Sequence, residues 1–310
     1  MPAVCADPAP HAVSQPPPTR LPRSLGDFTL RKRIGKGGRS HVFAARQALL
    51  GRHVALKVLR PEMAQQPQAV AAFQAEAAAY GRCDHAHILS CHAAGQDGDW
   101  HYMALNYASR GDTLRALRGC APSAVVPQVL QWVAQIADAV AYLAERGLVH
   151  GDIKPANILV AADDRALLAD LGSLQSLRTQ VRTRRWEGTP GYMSPEQADR
   201  QPLSVRSDIF ALGATAWHLC AGRAPRPATG DQQESLRRAV DEPLPSLAAV
   251  APWVPSSVVA VIERCIHPDA SQRFQDPRAV ARSLRQVRES LDADAGGTEA
   301  SPGINLSMGF

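Results

Sequence analysis

The sequence has no Cys-x-x-Cys pair and no regular Cys/His spacing. Its six cysteines, Cys5, Cys83, Cys91, Cys120, Cys220 and Cys265, are scattered, which speaks against a disulfide-stapled scaffold and fits reduced thiols in a reducing compartment. Cys83, His85, His87, Cys91 and His92 do gather, but at the wrong spacing for a zinc site, in a segment that reads as a loop leading into a strand. No basic start followed by an apolar run opens the chain, so no secretory signal is expected. There is also no uninterrupted apolar run of about 20 residues, the length a bilayer demands. The longest candidates, 129–143 and 209–220, contain Gln, Asp or His and look too short to span. These absences predict a soluble cytoplasmic chain with no membrane partner. A net charge of +5 and a pI of about 9.0 are too modest to imply nucleic acid, and none is expected. No internal repeat is visible.

What is present is ordinary for a globular protein: 310 residues, 45% hydrophobic and 20% charged, enough to bury a sizeable core. Residues 1–25, rich in Pro and Ala with Pro16, Pro17 and Pro18 in a row, predict a disordered arm, and 292–310 a disordered polar tail. Between them the first part reads as strands, over 28–34, from Val42, and over 54–59, 88–94 and 100–107. One helix interrupts them at 67–80, with Ala69, Val70, Phe73, Ala77 and Tyr80 on its apolar face. After Gly111 the pattern becomes helical. Leu130, Val133, Ile136, Ala137, Val140, Leu143 and Ala144 mark a long helix ending at Gly147. Ser204 caps a nearly all-apolar helix, and Asp276-Pro277 opens a last one carrying Val280, Leu284, Val287 and Leu291. The class is α+β.

One stretch organises the rest: Val149-His150-Gly151-Asp152-Ile153-Lys154-Pro155-Ala156-Asn157-Ile158-Leu159-Val160. Its apolar ends predict buried extended backbone, and Pro155 forces a turn that holds His150, Asp152, Lys154 and Asn157 above the core. A polar surface hairpin is the alternative reading. Earlier in the chain, Gly35-Lys36-Gly37-Gly38-Arg39-Ser40-His41-Val42 joins two strands, and glycines at 35 and 37 let backbone approach a phosphate closely. A dinucleotide fold would need a helix there, and Val42-Phe43-Ala44-Ala45 continues as strand instead. Lys57 interrupts the apolar strand Val54-Ala55-Leu56, which is costly unless the charge is paired; an edge strand with an exposed Lys is the bland alternative. Glu76 is the only carboxylate in helix 67–80. Asp170-Leu171-Gly172 follows short apolar strands, and Gly188-Thr189-Pro190-Gly191-Tyr192-Met193-Ser194-Pro195-Glu196 closes a segment rich in Ser, Thr and Arg.

Taken together, and in this order, these motifs resemble those of protein kinases over roughly residues 26–291, and within that family the bacterial Hanks-type serine/threonine kinases. The resemblance implies a two-lobed kinase fold. The N-lobe, 26–107, would be a small antiparallel sheet with one helix; the C-lobe, 108–291, would be larger and mainly helical. It implies ATP and Mg²⁺ as cofactors, and transfer of the γ-phosphate to Ser/Thr hydroxyls of protein substrates, autophosphorylation included, in a signalling role. By resemblance Asp152 handles the attacking hydroxyl, Lys154 neutralises the phosphoryl group, and Asn157 and Asp170 hold Mg²⁺. Ile34, Gly35, Gly37, Val42, Ala55, Lys57 and Leu159 would contact the nucleotide. Glu76 would pair with Lys57, and Asn106, Tyr107 and Ala108 would form the adenine-binding hinge behind Leu105. Glu196 would pair with Arg273, Asp208 would bond the catalytic-loop backbone, and Thr189 would shape the substrate pocket.

Lys154-Pro155 favours Ser/Thr over Tyr acceptors. Gly151 departs from the family's Arg, which often grips a phosphate on the activation segment. Activity is therefore expected to depend little on phosphorylation of Thr179 or Thr183. Arg178, Arg182, Arg184 and Arg185 would either attract acidic substrates or simply form a solvated mobile loop; Ala156 leans toward acidic substrates. Two rivals remain: a catalytically inert scaffold, which should have lost Lys57, Asp152 or Asp170, and a small-molecule phosphotransferase, which should lack Glu196 and its Arg273 partner. Sequence leaves the oligomeric state open.

Overall fold

A computed structural model of the chain describes residues 22–177 and 188–297. Thr179, Thr183, the arginines at 178, 182, 184 and 185, the arm before residue 22 and the tail from 298 lie outside the described residues. The chain forms two compact units. The first takes the described residues up to Gln74 together with His92–Leu105; the second takes Ala75–Cys91 and the described residues from Asn106.

The first unit is built on a six-stranded sheet in the order β1-β2-β3-β4-β6-β5. Its strands are β1 (Ser24–Leu25), β2 (Phe28–Lys36), β3 (Ser40–Gln47), β4 (His53–Leu59), β5 (Cys91–Asp97) and β6 (Trp100–Asn106). Antiparallel pairing joins β1 to β2, β2 to β3 and β3 to β4. Leu25, Phe28, Ala45, Val54, Leu56, Val58, Trp100 and Ala104 make its core. The arm thus ends sooner than residue 25, because Leu25 is buried and paired with Phe28. Strand β2 also runs beyond residue 34. Register shifts between Leu30 and Lys32 and between Arg33 and Gly35 bend it without ending it. A short helix not foreseen from sequence, α1 (Pro61–Ala64), precedes α2 (Pro67–Gly81), which runs from the first unit into the second.

The division into compact units differs from the expected boundary at residue 107 in placing residues 75–91 with the second unit. Leu89 N donates to Leu168 O at 2.9 Å, Leu168 N donates to His87 O at 2.8 Å, and Asp84 N donates to the Tyr142 hydroxyl at 2.8 Å. These bonds tie the segment to the second unit. The strand expected over 88–94 accordingly splits: Ile88 bridges Leu168, and β5 begins at Cys91.

The second unit holds β7 (Gly111–Asp112), α3 (Thr113–Ala116), α4 (Pro122–Glu145), β8 (Leu148–Val149), β9 (Ile158–Val160), β10 (Ala166–Leu168) and β11 (Gln175–Ser176). Then come α5 (Pro195–Ala198), α6 (Val205–Ala221), α7 (Gln232–Asp241), α8 (Leu247–Val250), α9 (Ser256–Cys265) and α10 (Pro277–Gly297). Helix α4 packs on α10 and α6, and α6 on α9. A Cβ at Gly213 would lie 2.5 Å from Cys265 Cβ, so glycine is what lets α6 and α9 approach so closely. Helix α4 is longer than the sequence suggested. It is long and apolar enough to cross a bilayer by length and composition, yet Val129, Leu130, Trp132, Val133, Ile136, Val140 and Leu143 are buried in the core. Ser204 caps α6 as expected, and Asp276 accepts from Arg278 N at the start of α10. Helix α10 runs on to Gly297, past the end expected at residue 291.

Candidate active site

Strand β8 delivers the chain to His150, and a 3-10 turn over Pro155–Asn157 hands it to β9, which pairs with β10 and β7. Thr113 donates its hydroxyl to Pro155 O at 3.1 Å and steadies the turn. From below, Asp208 on α6 accepts His150 N at 2.8 Å and Gly151 N at 2.9 Å, the bonds the sequence led us to expect. Burial pushes the Asp208 carboxyl up, against the opposing pull of His150 and the two N–H groups. His150 Nδ1 accepts from Asp152 N at 3.3 Å, so the ring proton sits on Nε2, 3.1 Å from Ala169 O. Gly151 has φ +78°, a left-handed conformation that glycine adopts without strain. Its carbonyl accepts from Gln197 Nε2 at 2.6 Å, and Ser173 Oγ donates to His150 O at 2.8 Å.

On this base four side chains converge. Lys154 Nζ lies 2.7 Å from Asp152 Oδ2 and 2.6 Å from Thr189 Oγ1. Thr189 donates its hydroxyl to Asp152 Oδ1 at 3.0 Å. Asn157 Nδ2 donates to Asp152 O at 2.8 Å and to Oδ2 at 3.1 Å. Asp152 is therefore fixed from both of its oxygens. With the Asn157 amide nitrogen committed to Asp152, its oxygen faces the other way, a suitable hard donor for Mg²⁺.

Asp170, the other expected metal ligand, precedes a short 3-10 turn over Leu171–Ser173 and sits at φ 63°, ψ 62°. Its N–H donates to the Tyr80 hydroxyl at 2.8 Å. Burial, with the charges of Glu76 and Asp170, pushes the Tyr80 phenol far up, so it stays protonated. Glu76, four residues earlier on α2, is buried; a Cβ at Gly172 would stand 3.4 Å from its Oε2. Leu171 is buried as expected. Among the described residues no three His, Cys, Asp or Glu side chains gather as a metal site, the Cys83–His92 stretch included.

The segment after Thr189 is locked by Glu196. Arg273 donates Nη1 to Glu196 Oε1 at 2.8 Å and Nη2 to Oε2 at 3.0 Å, and Ser207 Oγ adds a bond of 2.9 Å. Arg273 is 1% exposed and also bonds the carbonyls of Arg206, His267 and Pro268.

In the first unit, Gly35 and Val42 face each other in the register of β2 and β3, and Val42 faces Lys57 in β4. Gly37 N donates to Ser40 O at 2.8 Å, closing the turn. Its N–H is thus committed within the turn. Ala55 is buried, Lys57 half-buried and Ile34 exposed. Asn106 N donates to Ser90 O at 2.9 Å. Leu159 lies half-buried in β9.

Sequence reasoning missed Tyr80, Gln197 and the Tyr192–His218 pair, whose Oη and Nδ1 stand 2.6 Å apart. The one available signal was a phenol inside an apolar stripe four residues after Glu76.

Residues 28–284 match the family model described as Protein kinase domain. The chain is 30% identical over 269 residues to a probable serine/threonine-protein kinase of Clostridium acetobutylicum, covering 86% of this chain and 41% of that protein. It is 35% identical over 210 residues to serine/threonine-protein kinase PknF of Mycobacterium tuberculosis, covering 65% and 44%. It is 30% identical over 274 residues to serine/threonine-protein kinase PrkC of Bacillus subtilis, covering 88% and 42%. The chain thus spans less than half the length of these relatives.

Proposed function

We propose, since this chain belongs to the protein kinase domain family, that it transfers the γ-phosphate of ATP to serine and threonine hydroxyls of proteins, its own included, as a signalling enzyme. The observation that carries this reading is the cluster around Asp152, in which Lys154, Asn157 and Thr189 all donate to one carboxylate. Asp152 would accept the proton of the attacking hydroxyl, held there by its bonds to Asn157 and by the Asp208-anchored backbone. Lys154 Nζ would balance charge on the phosphoryl group in flight. Mg²⁺, held by Asn157 and Asp170, would neutralise the terminal phosphates. In the first unit, Gly35 and Gly37 would admit the phosphates close to backbone and Lys57 would pair with the α- and β-phosphates. On the family resemblance, Ile34, Val42 and Ala55 would be the first unit's nucleotide contacts, and Leu159, the Asn106 carbonyl and Ala108 N–H those of the second unit.

The test is incubation with labelled ATP and Mg²⁺, with mass spectrometry to place the label. The wild-type chain is expected to label Ser or Thr. Lys57→Met is expected to lose most of that labelling, and Asp152→Asn to lose roughly 10² to 10⁴ in rate while still binding ATP. Near-normal turnover by Asp152→Asn overturns the assignment.

A further inference from the structure

A pocket of about 190 Å³ opens beside Thr189, lined among others by Tyr192, Arg226, Pro227, Ser235 and Arg238. We propose that this pocket takes an acidic side chain, Asp or Glu, of the protein substrate, within a residue or two of the acceptor hydroxyl. The proposal rests on Asp152 being the point of transfer, because Thr189 both bonds Asp152 and lines the pocket.

The charge pattern points to an anion. Arg226 is 6% exposed, and its guanidinium donates to two backbone carbonyls, Met193 O at 3.2 Å and Glu242 O at 2.7 Å. Its Nε is buried and lacks a hydrogen-bond partner among the described residues. The nearby Glu242 carboxylate is taken by Arg238 Nε at 2.9 Å. Two cations therefore share one carboxylate. Arg226 is thus a desolvated guanidinium that has the Phe210 ring at 5.9 Å and only a share of the Glu242 charge, an incomplete balance that an incoming carboxylate relieves. Burial pulls the Arg226 pKa down to about 10, which still leaves it charged at neutral pH. Tyr192 brings no opposing charge: burial and the charge of Asp152 push its phenol up to about 12, and its oxygen is bonded to His218.

Shape agrees with charge. Pro190, Pro227, Ala224 and Ala228 give the pocket apolar walls suited to a methylene stem, while Ser235 and Arg238 offer polar ends. A Cβ at Gly191 would stand 2.9 Å from Arg226 O. A side chain there would collide with that carbonyl, so the loop carrying Thr189 lies directly on the Arg226 backbone.

The experiment uses serine-acceptor peptides carrying Glu, phosphoserine, Ala or Lys at each position next to the acceptor. It compares the full chain with Arg238→Ala and Arg226→Gln, and thermal melts verify that both variants fold. Arg238, on the surface of α7, is the safeguard should Arg226→Gln fail to fold. The wild type is expected to prefer Glu over Ala about tenfold in kcat/KM, a 1.4 kcal/mol discrimination, and Arg238→Ala to bring the two near parity. Equal use of Glu and Ala, a preference for Lys, or a preference that survives Arg238→Ala overturns the proposal. Phosphoserine exceeding Glu overturns the carboxylate assignment. Fluorescence anisotropy of a labelled Glu peptide with its acceptor serine replaced by alanine reads the pocket without turnover. Binding weakened by Arg238→Ala supports the pocket even if no transfer occurs, which would sink the kinase reading alone. Binding unaffected by that change overturns the pocket whatever the activity.

Discussion

A buried phenol must find a partner for its oxygen, and Tyr80 finds one in the backbone of Asp170. Asp170 is held in left-handed geometry, which for a residue with a side chain is costly and persists only when its neighbours enforce it. Tyr80→Phe keeps the ring and removes the acceptor. It is expected to destabilise the fold by about 1–2 kcal/mol in urea denaturation and to raise the Mg²⁺ concentration needed for half-maximal transfer. Unchanged Mg²⁺ dependence would leave Tyr80 a packing residue only. The apolar stripe that contains Tyr80 was legible in the sequence, but the hydroxyl's partner was not, because it lies 90 positions further on. Asp152, Lys154 and Asn157 could be read together because one short turn carries all of them; Thr189 joins them from across 37 residues, and only the family resemblance brought it into view.

Among elements, the lock between the segment ending at Glu196 and the chain at Arg273 carries the clearest pH signature. Burial alone would raise the Glu196 carboxyl; the hydrogen bonds and charge of Arg273 outweigh it and hold the group below its ordinary 4.5. A carboxyl depressed in the folded state lends stability above its unfolded pKa and loses it as pH falls through the folded one. The stability advantage of wild type over Glu196→Gln in urea is therefore expected to shrink as pH drops below about 4.5. Arg273→Met, which strands the carboxylate, is expected to cost about 3–5 kcal/mol at neutral pH. Long helices with clean stripes or caps, α4, α6 and α10, were readable, though their ends were not. The pieces β1, α1 and α3 are too short for periodicity to show, and the allegiance of residues 75–91 is set by bonds to Leu168 and Tyr142 that no local pattern encodes.

At the scale of the molecule, the scattered cysteines become a reporter. None of the five described cysteines is in a disulfide; Cys83, Cys91 and Cys120 are half-buried, whereas Cys220 and Cys265 lie in the core of the second unit. Burial pushes both core thiols up to about 12, so neither offers thiolate at neutral pH. Alkylation of Cys220 and Cys265, followed by mass spectrometry, is expected to rise together at the denaturant midpoint. Labelling of either one under native conditions would show that α6 or α9 opens independently. Which of the thiols are core was not readable, because α6 is apolar nearly all round. One further consequence follows from Thr189. Its hydroxyl is bonded to Asp152 Oδ1, so on the proposed function it would stand as an internal understudy for the acceptor alcohol. Were Asp152 to receive an acceptor proton as proposed, a passing water would gain little by displacing Thr189, and idle hydrolysis of nucleotide would stay slow until a true acceptor brought enough binding of its own to move the understudy aside.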